Sequence, residues 1–307
     1  MLKYNSNEIC ILTCTDSKFL PYSCCSLLTV KINSKSDCLY ILIGINLNSN
    51  DLIFLNNFNN TFNINILYIE FPYCLKTEPV ISKYGAFCCR LYIHKINHLI
   101  DLKIKKIIYI DSDMICNKDI THLFNINMNN NVIAAVPDLI SGSSKNLKRL
   151  NIIGVSKNDY FNSGFMIIDC EHNNFSEIMS NAIEVLDKNN FKYADQDALN
   201  YIIKGRFTKL PFRYNLMTPL QLFVFKKANI VHFSGSGMGR KPWENNFHFI
   251  NYKYRLIYEN TINKLPNSKI YIQKIIFWKL IKSELNFFTG LIRNLFSIFT
   301  YFYNNKF

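Results

Sequence analysis

A series of short apolar runs, each only long enough to cross a sheet once, constrains this chain more than any other feature. They are Glu8–Thr15, Leu39–Gly44, Ile64–Ile69, Ile107–Ile110, Asn131–Val136 and Phe165–Ile168. Strands that are apolar almost throughout are buried on both faces, which is the habit of parallel sheets rather than of sheets with one wet side. Between them lie segments with helical spacing, around Cys24–Val30, Ala86–Ile100, Phe175–Asp187 and from Ala194 onward. The rhythm predicts an α/β protein, a mostly parallel twisted sheet flanked by helices. At 307 residues, 49% of them hydrophobic, the chain can hold one large domain and an appendage. In such sheets ligands sit beyond the carboxyl ends of the strands.

The run Ile107–Ile110 ends in Asp111-Ser112-Asp113. Side chains at i and i+2 leave a strand on the same side, so two carboxylates converge. Two hard oxygen donors suit a divalent cation that also takes phosphate oxygens. From these residues alone, an Asp-rich turn closing a strand is an equal reading. Asp16 stands at the end of the first run, with Phe19 and Pro21-Tyr22 leading into a helix. Phe161-Asn162-Ser163-Gly164 leads into the strand Phe165–Ile168, which ends at Asp169. Asp195-Gln196-Asp197 opens a helix, where acidic residues also serve as ordinary caps. His232 ends a short strand and precedes a glycine-rich basic loop, Gly235 to Trp243, whose glycines let backbone approach a phosphate and whose Arg240 and Lys241 supply charge. Arg90, in the segment Ala86–Ile100, is by residue type alone an ordinary surface arginine. The stretch 141–158 is polar, with glycine, serine and lysine, and reads as a mobile loop.

Lys and Arg exceed Asp and Glu by 13, which calls for an anionic partner: nucleotide phosphate, acidic lipid or nucleic acid. The ten cysteines include the adjacent pairs Cys24-Cys25 and Cys88-Cys89, and none forms a Cys-x-x-Cys pair of zinc type. Residues 1–8 lack the apolar stretch of a secretion signal. Buried, reduced thiols in a cytosolic protein are expected.

The order of these motifs resembles glycosyltransferase family 8, the bacterial galactosyl- and glucosyltransferases that build the outer core of lipopolysaccharide or lipooligosaccharide. The likeness spans roughly residues 8–245. It rests on Thr15-Asp16, Phe19, Pro21-Tyr22, Arg90-Leu91, Tyr109-Ile110-Asp111-Ser112-Asp113, Phe161-Asn162-Ser163-Gly164, Asp195-Gln196-Asp197 with Leu199-Asn200, and His232, Gly235 and Lys241-Pro242-Trp243. A lone Asp-x-Asp is weak, whereas several motifs in family order are not. The resemblance implies a GT-A nucleotide-diphospho-sugar transferase fold over residues 1–260. It further implies a UDP-hexose donor, galactose or glucose, and Mn2+, with Mg2+ as the alternative, clamping the diphosphate. By position, Asp111, Asp113 and His232 would hold the metal, and the imidazole favours Mn2+. Asp16 would bond the uracil and Phe19 stack on it. Ser112, Gly235 and Lys241 would lie at the diphosphate, and Arg90, Asn162, Asp195 and Gln196 around the donor sugar, with Gln196, Asp195 and Asp197 nearest the chemistry. The family retains anomeric configuration. An amide such as Gln196 is a poor nucleophile, so a front-face route is expected, the leaving phosphate helping to deprotonate the incoming hydroxyl. The sequence departs from the family in the extra residues between His232 and Lys241, in Glu244 where relatives carry histidine, and in Lys18 where they carry asparagine.

Residues 261–307 hold seven Lys or Arg and one acidic residue, Glu284, among many aromatics. Charges interrupt every apolar stretch long enough to span a bilayer. A basic, amphipathic helical tail attached to an anionic membrane surface is expected, on the inner face of the bacterial cytoplasmic membrane, where a lipid-linked oligosaccharide acceptor would be met; nucleic acid is not an expected partner. Two other readings stay open: an Asp-x-Asp phosphatase or phosphotransferase, which would form a phosphoaspartate at Asp111, and a non-catalytic basic membrane-associated protein indifferent to Asp111 and Asp113.

Overall fold

Side-chain alternation along the buried strands decides where everything else packs. In the computed structural model, which describes residues 9–138, 144–217, 228–234, 241–244 and 252–265 together with 281 and 285, the first strand is β1 (Ile9–Asp16). Its Ile11 points into one apolar layer while Cys10, Leu12 and Cys14 point into the other. The strands beside it are β2 (Cys38–Ile45), β3 (Ile66–Glu70) and β4 (Lys106–Ile110). They pair in parallel, Ile9 opposite Cys38, Tyr40 opposite Ile66 and Cys10 opposite Ile107. Ile108 and Ile110 of β4 face the first layer, Ile107 and Tyr109 the second. Both faces are covered, as a continuous apolar strand requires.

Helix α1 (Leu20–Asn33) and helix α2 (Ser49–Phe62) cover the first face. Asn48 starts α2 with a reciprocal cap: its side chain accepts from the backbone of Asn50 and Asp51, and Asp51 accepts from Asn48 N–H. Between β3 and β4 run the short helices α3 (Tyr73–Lys76) and α4 (Pro79–Tyr84), a 3-10 helix over Gly85–Lys95, and α5 (Asn97–Asp101). The single helix expected over Ala86–Ile100 is therefore two pieces, parted at Ile96, whose backbone is extended.

The second half of the sheet contains a reversal. After β5 (Met114–Cys116) and β6 (Ile133–Pro137) comes α6 (Ser144–Ile153), then β7 (Phe161–Asp169), α7 (Phe175–Lys188), α8 (Ala194–Ile203) and β8 (Thr208–Lys209). The seven strands lie in the order β3-β2-β1-β4-β7-β6-β8. β7 runs antiparallel to both neighbours, Ile110 opposite Phe165 and Ala134 opposite Ile167. Its beginning, not its end, therefore lies at the edge where the other strands finish. That places Asn162, Ser163 and Gly164 beside Asp111, whose N–H donates to Gly164 O at 2.9 Å.

A second, three-stranded sheet joins β5 to β9 (Leu216–Met217) and β10 (Ile230–His232), with β10 in the middle. His232 pairs with Met114 and with Met217, and Phe233 N–H donates to Asp113 O at 3.0 Å. This register delivers His232 to Asp113. Lys241-Pro242-Trp243 is pinned by stacking: the Trp243 ring lies on Tyr22 of α1 at 3.8 Å and 8°, and against Tyr258 at 5.1 Å. Arg255 donates to the carbonyls of Pro242 and Glu244.

The stretch 141–158 is not a simple loop, because Ser144–Ile153 is helical and seats Leu150 and Ile153 against Tyr160. The last described helix, Tyr252–Ile262, runs across residue 260, and Ile262 and Leu265 join the first apolar layer. The rest of the tail, like Gly235 and Arg240 of the basic loop, lies outside the described residues except for Ile281 and Leu285. Among the described residues no helix is long and apolar enough to cross a membrane. All ten cysteines are free, and most are buried.

Candidate active site

Asp111, Asp113 and His232 offer ligand atoms that all lie within 4.8 Å of one another. Two strand ends and one β-register bring them together: Asp111 follows β4, Asp113 precedes β5, and His232 closes β10. Ser112 sits half-buried in the turn between the carboxylates. A Cβ added at Gly164 would stand 2.6 Å from His232 Cε1 and 2.8 Å from Asp111 Oδ2, so only glycine lets β7 pass this close.

The two carboxylates have different surroundings. Asp111 Oδ1 accepts from Arg90 Nη2 at 2.7 Å and from Tyr109 OH at 2.9 Å. Arg90, far from being an ordinary surface arginine, is 4% exposed, with its guanidinium 4.3 Å from the centre of the Tyr109 ring. It also donates to Ser163 O and Phe87 O and lies 3.3 Å from Asp195 Oδ2. Asp113 Oδ2 pairs with Lys241 Nζ, and Asp113 Oδ1 lies 3.3 Å from His232 Nε2. Burial pushes the Asp113 carboxyl up, but Lys241 and His232 outweigh it and hold the carboxyl well below the usual range. The result is two carboxylates and an imidazole that converge, each carboxylate also paired with a cation. That donor set fits Mn2+ and, less well, Mg2+.

Beside this cluster opens a cavity of about 630 Å³, lined among others by Arg90, Asp138, Arg149, Asn162, Asp195 and Gln196. Asp195 is buried among Ser163 Oγ, 3.1 Å away, and Arg90. Burial raises its carboxyl, and Arg90 offsets that only in part. Gln196 is fully engaged: its Nε2 donates to Asp138 Oδ2 at 2.7 Å and Tyr160 OH at 2.9 Å, and its Oε1 accepts from Asn162 Nδ2 and Ser163 N–H, both at 3.1 Å. Burial likewise raises the Asp138 carboxyl, against the hydrogen bonds of Gln196 and Asn162.

Asp197 is elsewhere. It has no solvent exposure and does not line the cavity; it accepts from Tyr160 OH at 2.6 Å and Tyr193 N–H at 3.0 Å and pairs with Arg149. Asp16 and Phe19 also lie outside the cavity lining. Asp16 Oδ1 accepts Phe19 N–H at 3.0 Å in the turn into α1, and Lys18 Nζ stands 5.4 Å from the Phe19 ring. Lys241 also donates to Phe233 O. Gly235 falls outside the described residues.

The sequence reading passed over Asp138, Arg149, Tyr160 and Asn215. Asp138 had a signal, since it closes an apolar strand as Asp111 does. Asn215 had none: it is a lone amide between Tyr214 and Leu216, yet it is fully buried, with Oδ1 2.9 Å from His232 Nδ1 and Nδ2 donating to Asn162 Oδ1 at 2.8 Å.

Residues 10–247 match the family described as glycosyl transferase family 8. The chain is 36% identical over 193 residues to general stress protein A of Bacillus subtilis (strain 168), a match covering 53% of this chain and 65% of that protein. It is 28% identical over 187 residues to the lipopolysaccharide 1,2-glucosyltransferase of Escherichia coli (strain K12), covering 55% of this chain and 52% of that protein. The chain thus spans less than two thirds of the length of both relatives. Its fold superposes on the galactosyltransferase LgtC, solved with donor and acceptor sugar analogs, with a TM-score of 0.66 at 17% identity, over 84% of this chain and 97% of that one. The mixed, helix-flanked sheet is the GT-A fold.

Proposed function

Because this chain belongs to glycosyl transferase family 8, we propose that it moves a hexose, galactose or glucose, from a UDP-sugar to a saccharide of lipopolysaccharide or lipooligosaccharide, with retention at the anomeric carbon. The observation that carries the reading is the meeting of Asp111, Asp113 and His232 within 4.8 Å at the edge of a cavity large enough for a sugar. A divalent ion held there supplies positive charge for the diphosphate oxygens. Lys241, next to the cluster, adds a second positive charge where the leaving group becomes anionic, which lowers the barrier to its departure.

The cavity wall supports the roles given to Arg90, Asn162, Asp195 and Gln196. Arg90 and Asp195 face the donor sugar from one side, Asn162 and Gln196 from another. Gln196 has both amide atoms engaged by four partners, so it orients rather than attacks. With an amide in that place, a front-face route is favoured: the C–O bond to the diphosphate breaks, the acceptor oxygen bonds to the same face of the carbon, and its proton passes to a departing phosphate oxygen. Asp197, buried beneath, anchors the wall through Tyr160 and Arg149. Asp16 and Phe19 stand at the same sheet edge as Asp111 and take the uracil; Ser112 and Gly235 take the diphosphate. Asp111 is no free nucleophile, since Arg90 and Tyr109 share its Oδ1, which speaks against a phosphoaspartate. A lipid-linked oligosaccharide is the acceptor, reached from the cytoplasmic side with the basic tail on the anionic membrane surface.

The test is hydrolysis of a panel of nucleotide-sugars by the intact chain with Mn2+, beside Asp113→Ala and His232→Ala. Turnover of one UDP-hexose, lost with chelator and in both variants, is expected. A chain that neither binds UDP nor turns over any donor would sink the reading.

A further inference from the structure

We propose that Asn215 is the positioning residue that selects which nitrogen of His232 faces the metal; the proposal rests on the metal-dependent reading above. The argument starts from two groups whose direction admits no choice. A backbone N–H can only donate, so the side-chain atom it meets must be an oxygen. Gly164 N–H meets one atom of the Asn162 amide at 3.1 Å, which makes that atom Oδ1. Ser163 N–H meets one atom of the Gln196 amide at 3.1 Å, which makes that atom Oε1. Asn162 therefore turns its Nδ2 toward Gln196 Oε1 and leaves Oδ1 for Asn215.

The order now propagates. The Asn215 atom that meets Asn162 Oδ1 at 2.8 Å has to be the donor, Nδ2. Its other amide atom is then the acceptor Oδ1, and it lies 2.9 Å from His232 Nδ1. For that contact to be a hydrogen bond, the proton must sit on Nδ1. In the neutral ring Nε2 then keeps its lone pair, turned toward Asp113, 3.3 Å from Oδ1, whereas a charged ring would donate there and hold the Asp113 carboxyl down. A lone pair beside a carboxylate oxygen is repulsive by itself and favourable with a cation between them. Asn215 is fully buried, so no solvent competes for its amide. The same two backbone amides of β7 thus orient Gln196 on the sugar side and His232 on the metal side. Groups that bond the far nitrogen of a histidine ligand in this way tune metal affinity by about 10–100-fold.

The experiment is nitrogen NMR of the intact chain labelled in its histidine rings, at alkaline pH without added metal, the His232 signals being identified by their loss in His232→Ala. The expected ring carries its proton on Nδ1, with Nε2 bare. Asn215→Leu should move the proton to Nε2 and weaken Mn2+ binding, measured in the presence of UDP, by about 10–100-fold. Asn162→Asp keeps the oxygen that faces Gly164 and Asn215, and should keep the ring as in the wild type. A wild-type ring protonated on Nε2 or on both nitrogens would overturn the proposal. So would an Asn215→Leu ring and Mn2+ affinity like those of the wild type, or a wild type that binds no Mn2+. Should Asn215→Leu fail to fold, the wild-type and Asn162→Asp spectra decide alone. If the ring and the Mn2+ affinities behave as expected and no UDP-hexose is turned over, the role of Asn215 stands and only the sugar-transfer reading falls.

Discussion

Arg149 of α6 reaches down to Asp197, a carboxylate with no solvent exposure in the first turn of α8, and lies between the rings of Tyr160 and Tyr193 at 4.6 and 4.7 Å. Its Nε is buried without a hydrogen-bond partner, so the guanidinium is held by Asp197, by Tyr160 and by ring stacking. Replacing it by Met strands a buried charge, which costs about 3–5 kcal/mol. The urea midpoint of Arg149→Met should fall accordingly, and adding Asp197→Asn should recover part of the loss. An unchanged midpoint would show that the pair holds nothing.

Gly164→Ala tests the close passage of β7. The new methyl would meet His232 Cε1, Asp111 Oδ2 and Met114 Cε at 2.6, 2.8 and 2.9 Å. Overpacking of this kind costs about 1–3 kcal/mol. It also drives His232 and Asp111, two of the three residues that meet at the cluster, apart, so Mn2+ affinity measured by calorimetry should drop even where the variant stays folded. Wild-type affinity would mean that the wall yields.

Asp138 gives a pH prediction. Burial raises its carboxyl in the folded chain. A raised acid adds stability below its ordinary value, near about 3.9, and that stability is lost as pH rises through the folded value. Asn at this position carries no such dependence and still offers an oxygen to Gln196. The melting temperature of Asp138→Asn relative to wild type should therefore climb between about pH 4 and pH 7. A difference that stays flat, or shrinks, contradicts the assignment.

Thiol chemistry should be sparse. Cys74 is exposed, Cys38 and Cys170 are half-buried, and the other thiols are buried. Burial pushes Cys14, Cys116 and Cys170 up to about 12. Since the thiolate is the reactive form, an aromatic disulfide reagent should modify one cysteine rapidly in the native chain and the rest only on unfolding. Rapid release from several sites would place the core thiols nearer solvent.

The sheet could be read from residues because a buried strand writes its own pattern: Ile107–Ile110 and Phe165–Ile168 are apolar without interruption. Asp111 and Asp113 were legible for the same reason, since the end of such a run marks the edge of the sheet. Helix α6 was not. Its Leu147 and Ile152 are exposed, so only Leu150 and Ile153 mark a buried face. What fastens it, Asp197, lies in another helix far along the chain. Asn215 was invisible on similar grounds, because an amide becomes significant only through the neighbours that folding gives it. The break at Ile96 was missed because apolar spacing does not distinguish a 3-10 turn from an α-helix.

The threading of β7 between β4 and β6, both of which precede it, has a meaning for the growing polypeptide. Until residues 161–169 emerge, β4 and β6 each present an uncovered rim, and long-range pairing of this kind is slow and exposed to wrong partners. Gly164 reaches Asp111 only then, and His232 arrives later still, after helices α1 to α8 have been translated. A nascent chain halted before β10 would own the seven-stranded sheet but neither the middle strand of the second sheet nor His232, so Asp111 and Asp113 would wait without their third partner.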